Sequence, residues 1–242
     1  MSNIQDKKIC RLKFGTKENM EKFYQYGEMR FGTFSEFKTG EIKSDGRADW
    51  LEYADEFYSG MGLDDIKITI DGYTLSREGG LLSAEWNLLN QKQYTHLYCM
   101  SCFDTKQMIE KDYAINEKNF AEGKEYVVIV YNVQEFCKRV VEALKMNNAM
   151  CCHSEYIEYC DMTNYSGDVG CFKKSDTYSY QNEWRIAVNF NNATDAKIIH
   201  IGSIEDIAKP PQTKEEFYQS KYQIGNKVIS NESILKNIGV SV

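Results

Sequence analysis

The run Lys173-Lys174-Ser175-Asp176-Thr177-Tyr178-Ser179-Tyr180-Gln181-Asn182-Glu183-Trp184-Arg185-Ile186-Ala187-Val188 passes from a polar, tyrosine-bearing loop into an apolar stretch. Over residues 184–190, Trp184, Ile186, Val188 and Phe190 recur at every second position, which predicts a strand with these four on one face. Glu183 stands where loop gives way to strand, and Gln181, two residues earlier, shares its side in an extended chain. A carboxylate rooted at the mouth of a buried strand is a fixed negative charge. Two uses are open to it: an ion pair with Arg185 or a neighbouring lysine, the commoner fate of such a group, or chemistry in a cleft.

Upstream, residues 9–14 alternate, with Cys10, Leu12 and Phe14 opposed to Arg11 and Lys13, as in a half-buried strand. Gly15-Thr16 breaks the pattern. Thr16 suits the N-cap of a helix over residues 17–26 that presents Met20, Phe23 and Tyr24 inward and that Gly27 closes. A short strand follows at 29–31. Residues 38–95 read as an insertion: an acidic helix near 48–58, a hairpin over 66–76 turning at Asp71-Gly72, and a short helix over 81–89. Further strands are predicted at 96–103, 125–131, 150–159 and 196–202. Asn132 caps a helix over 133–146 with Phe136, Val140, Val141 and Leu144 inward, and Pro210-Pro211 stops a helical turn at 204–208. The last helical pieces fall at 214–222 and 232–238. Strands outnumber helices without alternating with them, so the fold class is α+β, with a mixed or mostly antiparallel, split sheet and flanking helices.

With 242 residues, 42% hydrophobic and 27% charged, the chain suits one domain, 1–242. A net charge of −7 argues against a globally basic nucleic-acid binder while leaving room for a local basic groove. Met1-Ser2-Asn3-Ile4-Gln5-Asp6 carries no apolar run, and no window reaches about eighteen apolar residues, so a cytoplasmic protein without membrane spans is expected. The 8 cysteines are then simplest as free thiols. Cys99 and Cys102 have zinc-like spacing but sit in an apolar strand pattern, where small buried thiols are the expectation. His96, His153 and His200 are scattered, and no metal site, Gly-rich dinucleotide fingerprint or P-loop is read.

The order of elements resembles the ADP-ribosyltransferase fold. Leu12-Lys13-Phe14-Gly15-Thr16, Asn19, Phe23, Gly27 and Met29 follow that family's opening strand, Gly-Thr break, helix, Gly and second strand. Many members have His directly before the Gly, where this chain has Phe14. A second class of the family uses an Arg on the first strand, a Ser-bearing middle strand and Gln-x-Glu on a later one. Arg11 or Arg30, Ser101 and Gln181-Asn182-Glu183 match these in order, although the middle strand has Ser101 alone in place of Ser-Thr-Ser. The likeness spans roughly residues 9–200 and feels closest to the nucleic-acid-modifying toxins of toxin–antitoxin and phage-defence systems.

The resemblance implies NAD as substrate, with Glu183 and Gln181 as catalytic residues. Glu183 stabilises the oxocarbenium-like ribose that forms as the nicotinamide bond breaks. Arg11 or Arg30 (Arg47 being the next candidate) would hold the pyrophosphate. Gly15 and Thr16 would hold the carboxamide, and Ser101 would brace Glu183. Each has a plainer use: Thr16 as cap only, Ser101 as a small core residue, Arg30 as a surface charge. Lys173, Lys174, Tyr178 and Tyr180, with phosphate-binding and base-stacking chemistry, point to RNA or DNA as acceptor; equally the tyrosines pack the loop and a protein is modified. An antitoxin partner is implied. The opposing expectation is a non-enzymatic binding or regulatory module on the same fold.

Overall fold

The computed structural model describes residues 9–34, 36, 56–59, 67–70, 73–76, 85–88, 94–104, 117–163, 165–191, 195–219, 221–224 and 227–230. In chain order the strands are β1 (Ile9–Gly15), β2 (Glu28–Thr33), β3 (Glu56–Ser59), β4 (Lys67–Ile70), β5 (Tyr73–Ser76), β6 (Glu85–Leu88), β7 (His96–Asp104), β8 (Tyr126–Val130) and β9 (Cys151–Tyr156). They continue as β10 (Glu158–Cys160), β11 (Ser166–Asp168), β12 (Lys173–Ser175), β13 (Glu183–Asn189), β14 (Lys197–His200), β15 (Gln212–Thr213), β16 (Lys221–Ile224) and β17 (Lys227–Ser230). The α-helices are α1 (Lys17–Tyr26), α2 (Val133–Met146) and α3 (Lys214–Gln219).

β7 has three antiparallel partners. β13 runs beside it from Glu183↔Ser101 to Val188↔His96. β1 holds its far end, from Ile9↔Asp104 to Leu12↔Ser101, and β2 its near end, at Gly32↔Leu97 and Thr33↔His96. A strand has two edges, and β13 shares Ser101 with β1 and Leu97 with β2. β1 and β2 therefore occupy the same edge, opposite β13, and residues 98–100 lie between them. There the sheet splits. β8 and β15 continue the sheet beyond β1, β14 beyond β2, and β9 beyond β13, all antiparallel. Among the described residues only β10 with β12 is a parallel pair. The architecture is thus α+β with a mostly antiparallel sheet.

α1 spans the split on one face. Thr16 Oγ1 accepts from the Asn19 N–H at 3.3 Å, capping its first turn. Gly27, at φ 61°, closes it in the left-handed region, where a Cβ would come within 2.1 Å of the Gly202 carbonyl oxygen. Met20 and Phe23 turn inward to meet Tyr98 and Met100, and Trp184, Ile186, Val188 and Phe190 join the same core as the alternation predicts. α2 adds Phe136, Val140, Ala143 and Leu144; a fully buried side chain of this size contributes about 1.5–3 kcal/mol. Val141, expected inward, is 41% exposed, because Ala143 completes the inward stripe in its place. On the other face, Leu12, Val127 and Ile129 pack under Phe217 and Tyr218 of α3.

The predicted hairpin at 66–76 is present as β4 and β5, with Ile70↔Tyr73 flanking the turn. The helices expected near 48–58 and over 81–89 contain β3 and β6, which pair with each other; the rest of both predictions lies outside the described residues. Glu56–Ser59 holds two adjacent aromatics, Phe57 and Tyr58, whose strand preference is outweighed at the sequence level by acidic neighbours. The helix over 214–222 stops at Gln219, and Lys221 begins a hairpin strand. The helix at 232–238 lies outside the described residues, as does Arg47. No helix among the described residues is long and apolar enough to cross a membrane.

Candidate functional site

The split opens into a cavity of about 390 Å³. β1 contributes Lys13, Phe14 and Gly15 to its wall, and β2 contributes Arg30 and Gly32. Residues 97–101 of β7 form its back, and Lys174, Gln181 and Glu183 its floor. Asn119 and Lys124 close the remaining side.

Glu183 is 7% exposed and held from two directions. Arg185 Nε donates to its Oε1 at 2.5 Å, and Lys174 Nζ to its Oε2 at 3.3 Å. The fully buried Arg185 also donates from Nη1 to the Cys171 carbonyl at 2.8 Å. Burial pushes the Glu183 carboxyl up, but Arg185 and Lys174 together outweigh it and hold the group well below the usual carboxylate range. The carboxylate is therefore ionised at neutral pH. The ion pair read as the plainer use of Glu183 is present, and the same carboxylate borders the cavity.

Gln181 borders it too, though not by the extended geometry expected. Residues Asp176–Gln181 form a 3-10 helix, and Asn182 reverses the chain at φ 42° before β13 begins. Gln181 and Glu183 meet because Lys174 Nζ reaches both, at 3.0 Å and 3.3 Å. The same helix separates Tyr178 and Tyr180, which an extended chain would place side by side. Tyr178 lies over Lys174 at 5.0 Å, while Tyr180 lies under Lys118 at 5.4 Å and its carbonyl accepts from Asn119 Nδ2. Lys173 and Lys174 also part company. Lys173 donates to the Tyr165 hydroxyl at 2.8 Å, away from the cavity. Lys174, 2% exposed, is a partner of Glu183 rather than a loop-borne cation reaching for solvent phosphates.

Of the two arginines considered on the opening strands, Arg30 of β2 lines the cavity, its side chain more than half exposed and donating to Glu36 Oε1 at 2.5 Å. Arg11 does not. It sits where β1 is still paired with β7, opposite Cys102, buried between the rings of Trp184 and Tyr156. Its Nη2 donates to the Tyr156 hydroxyl, while Nε and Nη1 find no acceptor among the described residues. Two residues on, past the point where the strands diverge, Lys13 reaches the cavity that Arg11 cannot. Sequence reading passed Lys13 over as the outward side of an alternating strand. Gly15 is in the wall, and Ser101 is there as well, its Cα opposite that of Glu183. Thr16 is spent on the helix cap.

Lys13 Nζ donates to the Cys99 carbonyl at 2.7 Å and stands 4.1 Å from the Tyr98 ring centre. The pairing geometry explains that acceptor. Cys102 N–H bonds to the Asn182 carbonyl on the β13 side, so by strand alternation Cys99 turns its peptide groups to the opposite edge, into the split. Burial pulls the Lys13 ammonium down to about 8, with Lys124 and Arg30 pulling the same way and Cys99 and Glu183 opposing. The arrangement sets four cations, Lys13, Arg30, Lys124 and Lys174, against two carboxylates, Glu28 and Glu183, in a protein that is acidic overall, so it suits a small anionic ligand. Comparison with family models, with curated proteins and with solved structures finds no match to this chain.

Proposed function

We propose that the chain is a NAD-dependent ADP-ribosyltransferase whose cleft is the split between β1 and β2. One observation carries the reading: Glu183 and Gln181 from the 176–183 turn, and Lys13 and Arg30 from the two opening strands, border one cavity. In this reading Glu183 stabilises the cationic ribose as nicotinamide leaves, and its fixed ionisation means no reorganisation is needed at that moment. Lys13 and Arg30 hold the pyrophosphate, Arg11 being replaced in that role, and the backbone at Gly15 meets the carboxamide. The acceptor is RNA or DNA, approaching across Lys118 and Tyr180, and the setting is a toxin of a defence system restrained by an antitoxin.

The clamp on Glu183 favours a second reading, a binding module without chemistry, since a carboxylate shared between Arg185 and Lys174 has less charge to offer a substrate. Labelled NAD incubated with separate RNA, DNA and protein pools distinguishes the two. Glu183→Gln alone would leave Lys174 and Arg185 uncompensated, so it is paired with Lys174→Met, which restores the net charge of the cluster. The double variant is expected to transfer label about a hundredfold more slowly than Lys174→Met alone. Equal rates remove Glu183 from the chemistry. No label in any pool and no loss of NAD leaves the binding module.

A further inference from the structure

Lys13 combines features that the transferase reading uses only in part. Its backbone is paired with Val128 of β8 and directly follows the last β1–β7 pair, Leu12↔Ser101, so the amine is delivered into the cavity from an anchored strand. Among the described residues it has no carboxylate partner, only the Cys99 carbonyl and the Tyr98 ring. It shares the cavity with Arg30, Lys124 and Lys174. Desolvation and neighbouring cations are the two conditions that turn a lysine from a counter-charge into a nucleophile.

We propose that Lys13 is a nucleophilic amine that condenses with small anionic aldehydes, of the phosphorylated-sugar class, entering the split. The neutral amine attacks the carbonyl carbon and forms the C–N bond. The carbinolamine then loses the former carbonyl oxygen as water, which takes both amine protons and leaves through the open mouth of the cavity. Protonated, the imine carries the same charge as the ammonium it replaces, so the Tyr98 ring face that holds one holds the other. The surrounding cations select an aldehyde that bears phosphate. The proposal shares the cavity with the transferase reading but does not rest on it.

Free lysine titrates near 10.4, so at pH 8 about one ordinary side chain in 250 is neutral. Lys13, brought down to about 8, is then about half neutral. The groups that set this are Cys99 on β7, Glu183 on β13, Arg30 on β2 and Lys124 in the loop before β8. The test uses pyridoxal 5′-phosphate, an aldehyde carrying a phosphate, on the full chain, with borohydride reduction and peptide mapping by mass spectrometry. The exposed Lys17 and Lys138 serve as comparators within the same molecule. Lys13 is expected to be labelled at least about tenfold faster than either at pH 8, with a rate that rises through about pH 8 and then levels. Lys13→Arg should remove the fast phase and keep the slow ones. Labelling of Lys13 no faster than Lys17 overturns the proposal, and needs no variant to fold. Fast labelling in a chain that leaves NAD intact upholds the amine and sinks the transferase; slow labelling in a chain that consumes NAD does the reverse.

Discussion

Arg185 reaches back two residues along its own strand to the Glu183 carboxylate while also holding the Cys171 carbonyl, so its loss takes a donor from two buried acceptors at once. Arg185→Met is expected to lower stability by about 3–5 kcal/mol and Lys174→Met by about 1–3 kcal/mol, because the latter leaves Glu183 its shorter contact, with Arg185. Urea unfolding of both variants checks this, and equal losses would mean that the two cations share the carboxylate evenly. The acid limb follows in sign. Glu183 titrates lower folded than unfolded, so its contribution is fully present above about pH 4.3 and fades as pH falls through the depressed folded value. At this scale the sequence was half legible. The identity of Glu183, its ion pair with Arg185 and its place at a strand mouth could all be read from a few neighbouring residues. Lys13 and Arg11 could not be ranked, because both lie on the same side of β1 and only the point where β7 diverges separates their surroundings.

Single elements were legible where a cap or a period marks them. Thr16 and Asn132 begin helices with side-chain caps and Gly27 closes one in the left-handed region, and the alternation over residues 184–190 puts its four apolar residues in the core. The loop before Glu183 was not legible. Its 3-10 turn depends on the Ser175 side chain accepting from the Thr177 N–H and on a left-handed Asn182, neither of which alters hydrophobic period. Thr16 supplies the test at this scale. Its hydroxyl is engaged at Asn19 and its side chain is not in the cavity wall, so Thr16→Ala should cost about 1 kcal/mol in thermal unfolding. On the transferase reading, NAD affinity, measured by calorimetry on the folded variant, should stay within about twofold; a larger fall would return Thr16 to the proposed cofactor site. Gly15, which does line the wall, has no such second duty on the helix.

For the molecule as a whole, the α+β class and the mainly antiparallel pairing were readable from the excess of strands over helices and their irregular order. The position of the split was not. It arises because β1 and β2, neighbours in sequence, grip the same edge of β7 at separated points, and pairings across more than sixty residues of chain leave no mark on local pattern. That shared edge has a consequence for solvent. Leu97 and Ser101 turn their peptide groups to β2 and β1, and Tyr98 and Met100 turn theirs to β13, so these amides give up their protons to deuterium only when strands separate. Among the described residues, Cys99 has no strand paired to the edge its peptide groups face, and Lys13 takes its carbonyl. Its amide is expected to exchange at least about tenfold faster than those of Tyr98 and Met100, which turn toward β13. A ligand that fills the cavity should slow Cys99 selectively. The molecule thus carries, at one peptide group in the middle of its most enclosed strand, a label-free gauge of whether the cleft is occupied.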